Sequence, residues 1–144
     1  MPDQPEQKIT PVTKADEQKL REQRATVEKY LSNDKSRESY QTPAGKLGTI
    51  RALQAKIFKA GQRYELECLG VVLGDAFVQE MGFEWVAVED DYGRDLAVKI
   101  PNSSIIVFPL TMISKRLERG EEVDVFDLFN GVAAHVEKLQ KQGM

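Results

Sequence analysis

Thiol and imidazole groups are scarce in this chain of 144 residues: there is one cysteine, Cys68, and one histidine, His135. A thiol beside an imidazole is the smallest apparatus for covalent catalysis, the ring taking the thiol proton while a third group orients it. Cys68 sits in Cys68-Leu69-Gly70-Val71-Val72, the setting of a buried, inert thiol. His135 lies beside an apolar stripe on the last helix, and no flanking motif accompanies either residue. A denser group of polar side chains is Glu89, Asp90, Asp91 and Asp95, which invites a hard cation. Its spacing lacks the alternating ligands of a calcium loop, and Arg94 stands inside it as a counter-charge. Turn-forming aspartates with a surface Arg94–Asp95 pairing are the simpler account. There is no phosphate-binding glycine loop, nucleophile elbow or two-histidine metal motif, and Gly70-x-x-x-Gly74 reads as helix packing. No catalytic residue, metal or cofactor is expected.

The elements that would position these groups follow from periodicity. Residues 1–12 are polar and proline-rich and are expected to form a disordered leader. Thr13, with Asp16 three positions on, caps a helix from Lys14 to about Leu31, anchored thinly by Leu20, Val27, Tyr30 and Leu31. Residues 32–48 read as a loop. A second helix is expected from about Thr49 to Ala60, and a third, the core helix, from about Tyr64 to Met81, with Leu66, Leu69, Val72, Leu73 and Phe77 at helical spacing. Two glycines inside that helix, Gly70 and Gly74, predict the close approach of another element. From Glu84 the period becomes two. Glu84–Glu89, Asp95–Ile100 and Ser104–Phe108 read as three strands joined by turns. A short helix after Thr111 and a longer one capped by Asp124 complete the chain. The fold class is α+β, a three-stranded antiparallel meander packed against several helices, with the core domain over 49–144 and an N-terminal helix and loop over 13–48.

Strand alternation assigns faces. Val86 and Val88 share one side of their strand, and Trp85, Ala87 and Glu89 share the other. If the branched residues face the helices, Trp85 lies on the outer face above two alanines, rimmed by Glu89, Asp95 and Lys99, next to a hairpin tip with Tyr92 and Arg94. That composition suits a protein partner. On the opposite register Trp85 is core. A second arrangement gathers Asp75, Arg94, Lys115 and Arg116 into a polar pocket for an anion or other small ligand, near the hairpin and the helix after the third strand.

Charge is uneven. Residues 1–63 carry 13 Lys and Arg against 8 Asp and Glu, whereas 64–144 carry 7 against 15. The basic half alternates in sign along its helices, the pattern of a solvated face rather than of a nucleic-acid binder. No segment approaches the length of a membrane span, the N-terminus has no signal-peptide character, and a single cysteine suits a reducing compartment. The chain is expected in the cytoplasm, binding another protein.

The runs Leu69-Gly70-Val71-Val72-Leu73-Gly74-Asp75-Ala76, Glu84-Trp85-Val86, Asp91-Tyr92-Gly93-Arg94-Asp95 and Phe108-Pro109-Leu110-Thr111-Met112-Ile113-Ser114-Lys115-Arg116 resemble an uncharacterised bacterial family catalogued as domain of unknown function 3806. The resemblance spans about Leu69 to Phe129. It implies a small bacterial cytoplasmic domain and brings no activity, substrate or catalytic residue. The leading expectation is a non-enzymatic protein-interaction domain, in one concrete form immunity- or antitoxin-like, docking through the outer sheet face and hairpin tip. The alternative is a ligand- or anion-binding domain, with enzymatic activity left open.

Overall fold

The apolar run after Gln62 forms the longest helix, α4 (Arg63–Met81), against which most other elements are laid. Leu66, Leu69, Val72, Leu73 and Phe77 are fully buried along it. Gly82 ends it in the left-handed region at φ 77°, a conformation that costs glycine nothing. The structure, a computed structural model, describes residues 7–143.

Both internal glycines of α4 are close-approach positions. A Cβ on Gly70 would stand 2.5 Å from the Leu110 carbonyl oxygen, and one on Gly74 would stand 2.5 Å from the Trp85 indole. The 3-10 turn Pro109–Thr111 therefore lies directly on the helix backbone, and the sheet is drawn onto the same surface.

The sheet has four antiparallel strands in the order β1 (Lys8–Pro11), β2 (Glu84–Asp90), β3 (Gly93–Lys99), β4 (Ile106–Val107). A leader disordered through residue 12 is not what forms. Lys8–Pro11 pairs with Glu89–Val86, and residues 1–6 lie outside the described part. A polar segment joins a sheet edge through its backbone alone, so hydrophobic periodicity does not reveal it.

Helix α1 (Lys14–Glu28) starts at the expected capping box: the Thr13 N–H donates to Asp16 Oδ2 at 2.8 Å and the Asp16 N–H to Thr13 Oγ1 at 3.1 Å. It packs on α4 through Leu20, Gln23 and Val27. The loop expected over 32–48 holds two helix starts instead. Asn33 caps α2 (Asp34–Tyr40), and Thr42 caps α3 (Pro43–Lys56), with Pro43 in the first turn where its missing N–H costs nothing. A boundary between 48 and 49 thus falls inside α3. Tyr40 and Leu47 from this stretch are buried in the main core.

Two helices close the chain, α5 (Met112–Glu118) and α6 (Val125–Lys141), the latter capped by Asp124, whose Oδ1 accepts from the Phe126 and Asp127 N–H groups. The architecture is α+β, with helices on one face of the sheet. Among the described residues no helix is long and apolar enough to cross a membrane.

Glycine substitutions should separate these roles. Gly70→Ala and Gly74→Ala are each expected to lower the urea midpoint by the equivalent of about 1–3 kcal/mol, because backbone and indole block the methyl. Gly131→Ala, whose Cβ meets nothing within 4 Å, should raise it by up to about 1 kcal/mol.

Candidate functional site

The register settles the faces of the sheet. Trp85 is opposite Val98, Ala87 opposite Leu96, and Glu89 opposite Arg94, so these side chains share the helix-facing side. The branched Val86 and Val88 lie on the reverse with Ala97, and there form a small buried cluster with Ile106 packed against it. The expected docking floor of Trp85 on the outer face is overturned. Trp85 packs over Gly74, and its Nε1–H donates to Asp75 Oδ1 at 3.0 Å. β2 is thus turned over relative to the assignment that put its branched residues inward, because the glycine face of α4 accepts an indole better than it would accept two valines.

Asp75 is an anchor within the protein rather than part of a pocket with Arg94. Arg24 of α1 binds it bidentately, Nε to Oδ2 at 2.7 Å and a terminal nitrogen to Oδ1 at 2.8 Å. The carboxylate pushes the Arg24 guanidinium pKa up. Burial pushes the nearby Tyr40 phenol up and the Lys46 ammonium down, and Lys46 Nζ donates to the Tyr40 carbonyl at 2.9 Å.

Arg94 does not pair with Asp95. It reaches back to α1 and binds both oxygens of Asp16, at 2.8 and 2.6 Å. The guanidinium holds the Asp16 carboxyl well below its ordinary 3.8, helped by the Thr13 N–H and hydroxyl and opposed by burial. Asp90 acts as a turn residue, its Oδ1 accepting the Tyr92 N–H at 2.8 Å, and Tyr92 stands 88% exposed at the hairpin tip. Among the described residues no three or more His, Cys, Asp and Glu side chains gather as a metal site.

Two cavities lie on either side of Phe108. The first is a polar cleft of about 440 Å³ lined by Asp16, Lys19, Glu67, Arg94, Asp95 and Lys115, with Phe108 and Leu110 as its apolar wall. It is lined by both Arg94 and Lys115, whereas Asp75 and Arg116 lie outside it. The second is a groove of about 740 Å³ between residues 104–108 and α6, its floor made largely of Ile105, Val107, Met112, Leu128, Val132, Val136 and Leu139. Ser104, Arg116, Asp127 and His135 supply its polar side chains. Adjacent positions on α5 thus serve different cavities, Lys115 the cleft and Arg116 the groove. Cys68 is buried in the core, where desolvation pushes its thiol pKa up, while His135 is exposed on α6. No hydrogen bond joins them among the described residues.

The family described as Domain of unknown function (DUF3806) matches residues 46–129, more than half of the chain. The chain belongs to that family. The DUF3806 span reaches back into α3, further than the motifs from Leu69 indicate, and includes β2–β4, α4, α5 and the start of α6. It leaves out Asp16 and Arg24, the partners of Arg94 and Asp75, and the groove residues Gly131, Val132, His135, Val136 and Leu139. A crystal structure from Bacteroides thetaiotaomicron VPI-5482, determined at 1.50 Å, is similar with a TM-score of 0.72 and 14% identity. The similarity covers 90% of this chain and 48% of that one, so this chain spans about half its length and shares its fold. No curated protein matches.

The groove was not legible as a site because its two walls are distant in sequence and each reads as ordinary core edge. Its one available signal was the wide apolar stripe of α6, which exceeds what a single packing partner covers.

Removing the carboxylate in Asp75→Ala leaves Arg24 and the indole unpaired. It is expected to cost about 2–3 kcal/mol by urea unfolding, with a change in Trp85 emission in the folded state. A carboxyl depressed by folding stabilises fully above its unfolded value and loses that contribution as pH falls through its folded one. Below about pH 4 the urea midpoint of Arg94→Ala should therefore decline less steeply than that of wild type. Cys68 should react with a disulfide thiol reagent only at the rate of unfolding.

Proposed function

We propose that this chain is a non-enzymatic protein-interaction domain that docks an apolar segment of a partner in the groove between residues 104–108 and α6. The carrying observation is the groove itself: about 740 Å³, walled by aliphatic side chains, with four polar side chains at its margin. This size and balance suit recognition. The one thiol of the chain lies in the core, away from the groove. The Trp85 indole takes no part in docking, since it is engaged by Asp75. Tyr92 persists as a separate exposed aromatic. An immunity- or antitoxin-like task in a bacterial cytoplasm is the concrete form of this proposal. The acidic excess over 64–144, 15 Asp and Glu against 7 Lys and Arg, supports it as net charge that attracts a basic partner.

A phage-displayed library of randomised nine-residue peptides tests this directly. Peptides are expected to enrich on the wild-type chain and to lose binding to Gly131→Phe, which places an aromatic ring on the groove lining at a position where a Cβ meets nothing within 4 Å. Equal binding to both proteins would remove the groove from consideration.

A second reading rests on the cleft, where Lys19, Arg94 and Lys115 face Asp16, Glu67 and Asp95. It is a small-ligand site for a molecule carrying phosphate or both charges. Inorganic phosphate, ATP or glutamate at millimolar concentration should then raise the melting temperature by a few degrees, and Lys115→Ala should abolish the shift. No shift with any of the three would retire this reading.

A further inference from the structure

We infer that the groove takes an extended peptide segment as a fifth strand on β4, with an acidic group of the segment held by Arg116. The inference rests on the groove reading above and names the chemistry and conformation of the occupant.

The first support is the state of the β4 backbone. β4 ends the sheet order among the described residues, so its outer side has no neighbouring strand. Val98 is opposite Val107 and Lys99 opposite Ile106, and the Ile100 N–H donates to the Ile105 carbonyl at 3.0 Å. Hydrogen-bonded and non-bonded pairs alternate along an antiparallel ladder. Ile105 and Val107 therefore hold the bonded positions, and Ile106 turns its N–H and C=O to the free edge. That edge borders the groove, whose lining includes all five residues from Ser104 to Phe108. Opposite it stands α6, which packs against α3 and α4 and leaves the space beside β4 open. An edge strand and a helix flanking an apolar trough are the geometry in which a peptide adds as a strand, its alternate side chains entering the trough.

The second support is charge. Arg116 is half-buried, and its one side-chain hydrogen bond among the described residues runs from a terminal nitrogen to the Met112 carbonyl at 3.0 Å. Among the described residues no carboxylate lies within ion-pair distance of it, Asp127 of the same groove included. A guanidinium so placed, with donors unused beside an apolar floor, is complementary to a carboxylate, which it can grip with two parallel bonds. An amphipathic lipid carboxylate would meet Arg116 and the floor equally well. It would also displace water from the Ile106 N–H and C=O and leave them unpaired, at a cost that a peptide backbone removes. The peptide is favoured on that ground.

The test uses peptides enriched from the phage library on the full chain, measured by fluorescence anisotropy, with oleate as a competing probe. Enriched sequences should alternate apolar residues and share one acidic position or a free C-terminus. Arg116→Met is expected to weaken binding about ten- to a hundredfold. Ile106→Pro removes the outward N–H, at an edge where proline is tolerated, and should weaken it about tenfold; Ile106→Ala, which trims the same side chain from the reverse-face cluster but keeps the N–H, is the control and should bind like wild type. Circular dichroism and urea unfolding verify that the variants are folded; if Ile106→Pro is not, protection of the Ile106 amide from hydrogen exchange on peptide binding replaces it. If Gly131→Phe abolishes binding while Arg116→Met and the Ile106 measurement show no change, strand addition is overturned and the groove reading survives. Binding indifferent to Gly131→Phe overturns both. Failure to enrich any peptide, with oleate bound in the groove or not, also overturns both.

Discussion

The structure depends on one close contact, the seating of the chain from Trp85 and from Pro109–Leu110 onto the bare backbone of α4 at Gly74 and Gly70. Any Cβ there would lie within 2.5 Å of the neighbouring heavy atoms. Two consequences follow. The indole, seated on Gly74, brings its N–H to Asp75, and this commits the aromatic side of β2 to face the helices. The 3-10 turn, seated on Gly70, fixes where the chain leaves β4 and where α5 begins. Phe108 consequently becomes the wall between the cleft and the groove. Both cavities are by-products of a packing decision made two elements away.

Two arginine–carboxylate pairs then tie the N-terminal part of the chain to this frame. Arg24 to Asp75 joins α1 to α4, and Arg94 to Asp16 joins the sheet to α1. Each is bidentate, with a carboxylate side chain 14% and 10% exposed respectively. Desolvation offsets much of the attraction in pairs of this kind. Their clearer effect is on arrangement, because another placement of α1 would strand a largely buried carboxylate. Asp16 does double work, capping its own helix and receiving Arg94.

The groove exists because α6 is committed on one flank. Phe129 stacks on Phe77 of α4 with ring centroids 4.6 Å apart, and Val125 and Val136 are buried, which anchors the helix to the core. Leu128, Val132 and Leu139 are only partly covered and turn toward the strand edge. An apolar stripe wider than its partner leaves a trough, and in this chain the trough lies along a strand whose outer hydrogen-bonding groups are unused.

The amino-acid order alone determined what depends on neighbours within a few positions: the capped starts at Thr13 and Asp124, the period of α4 with Gly82 at its end, the turn at Asp90–Gly93, and the close-packing sense of Gly70 and Gly74. It missed β1, which joins by backbone pairing that leaves no side-chain period. It missed the start of α3 at Pro43, because turn-like residues also serve as caps. Which face of β2 turns inward, which carboxylate each arginine finds, and the split of Lys115 from Arg116 were decided only in three dimensions. Register is a choice between two surfaces of similar apolarity, and here a partner 10 residues distant, Gly74-Asp75 beneath the indole, made it.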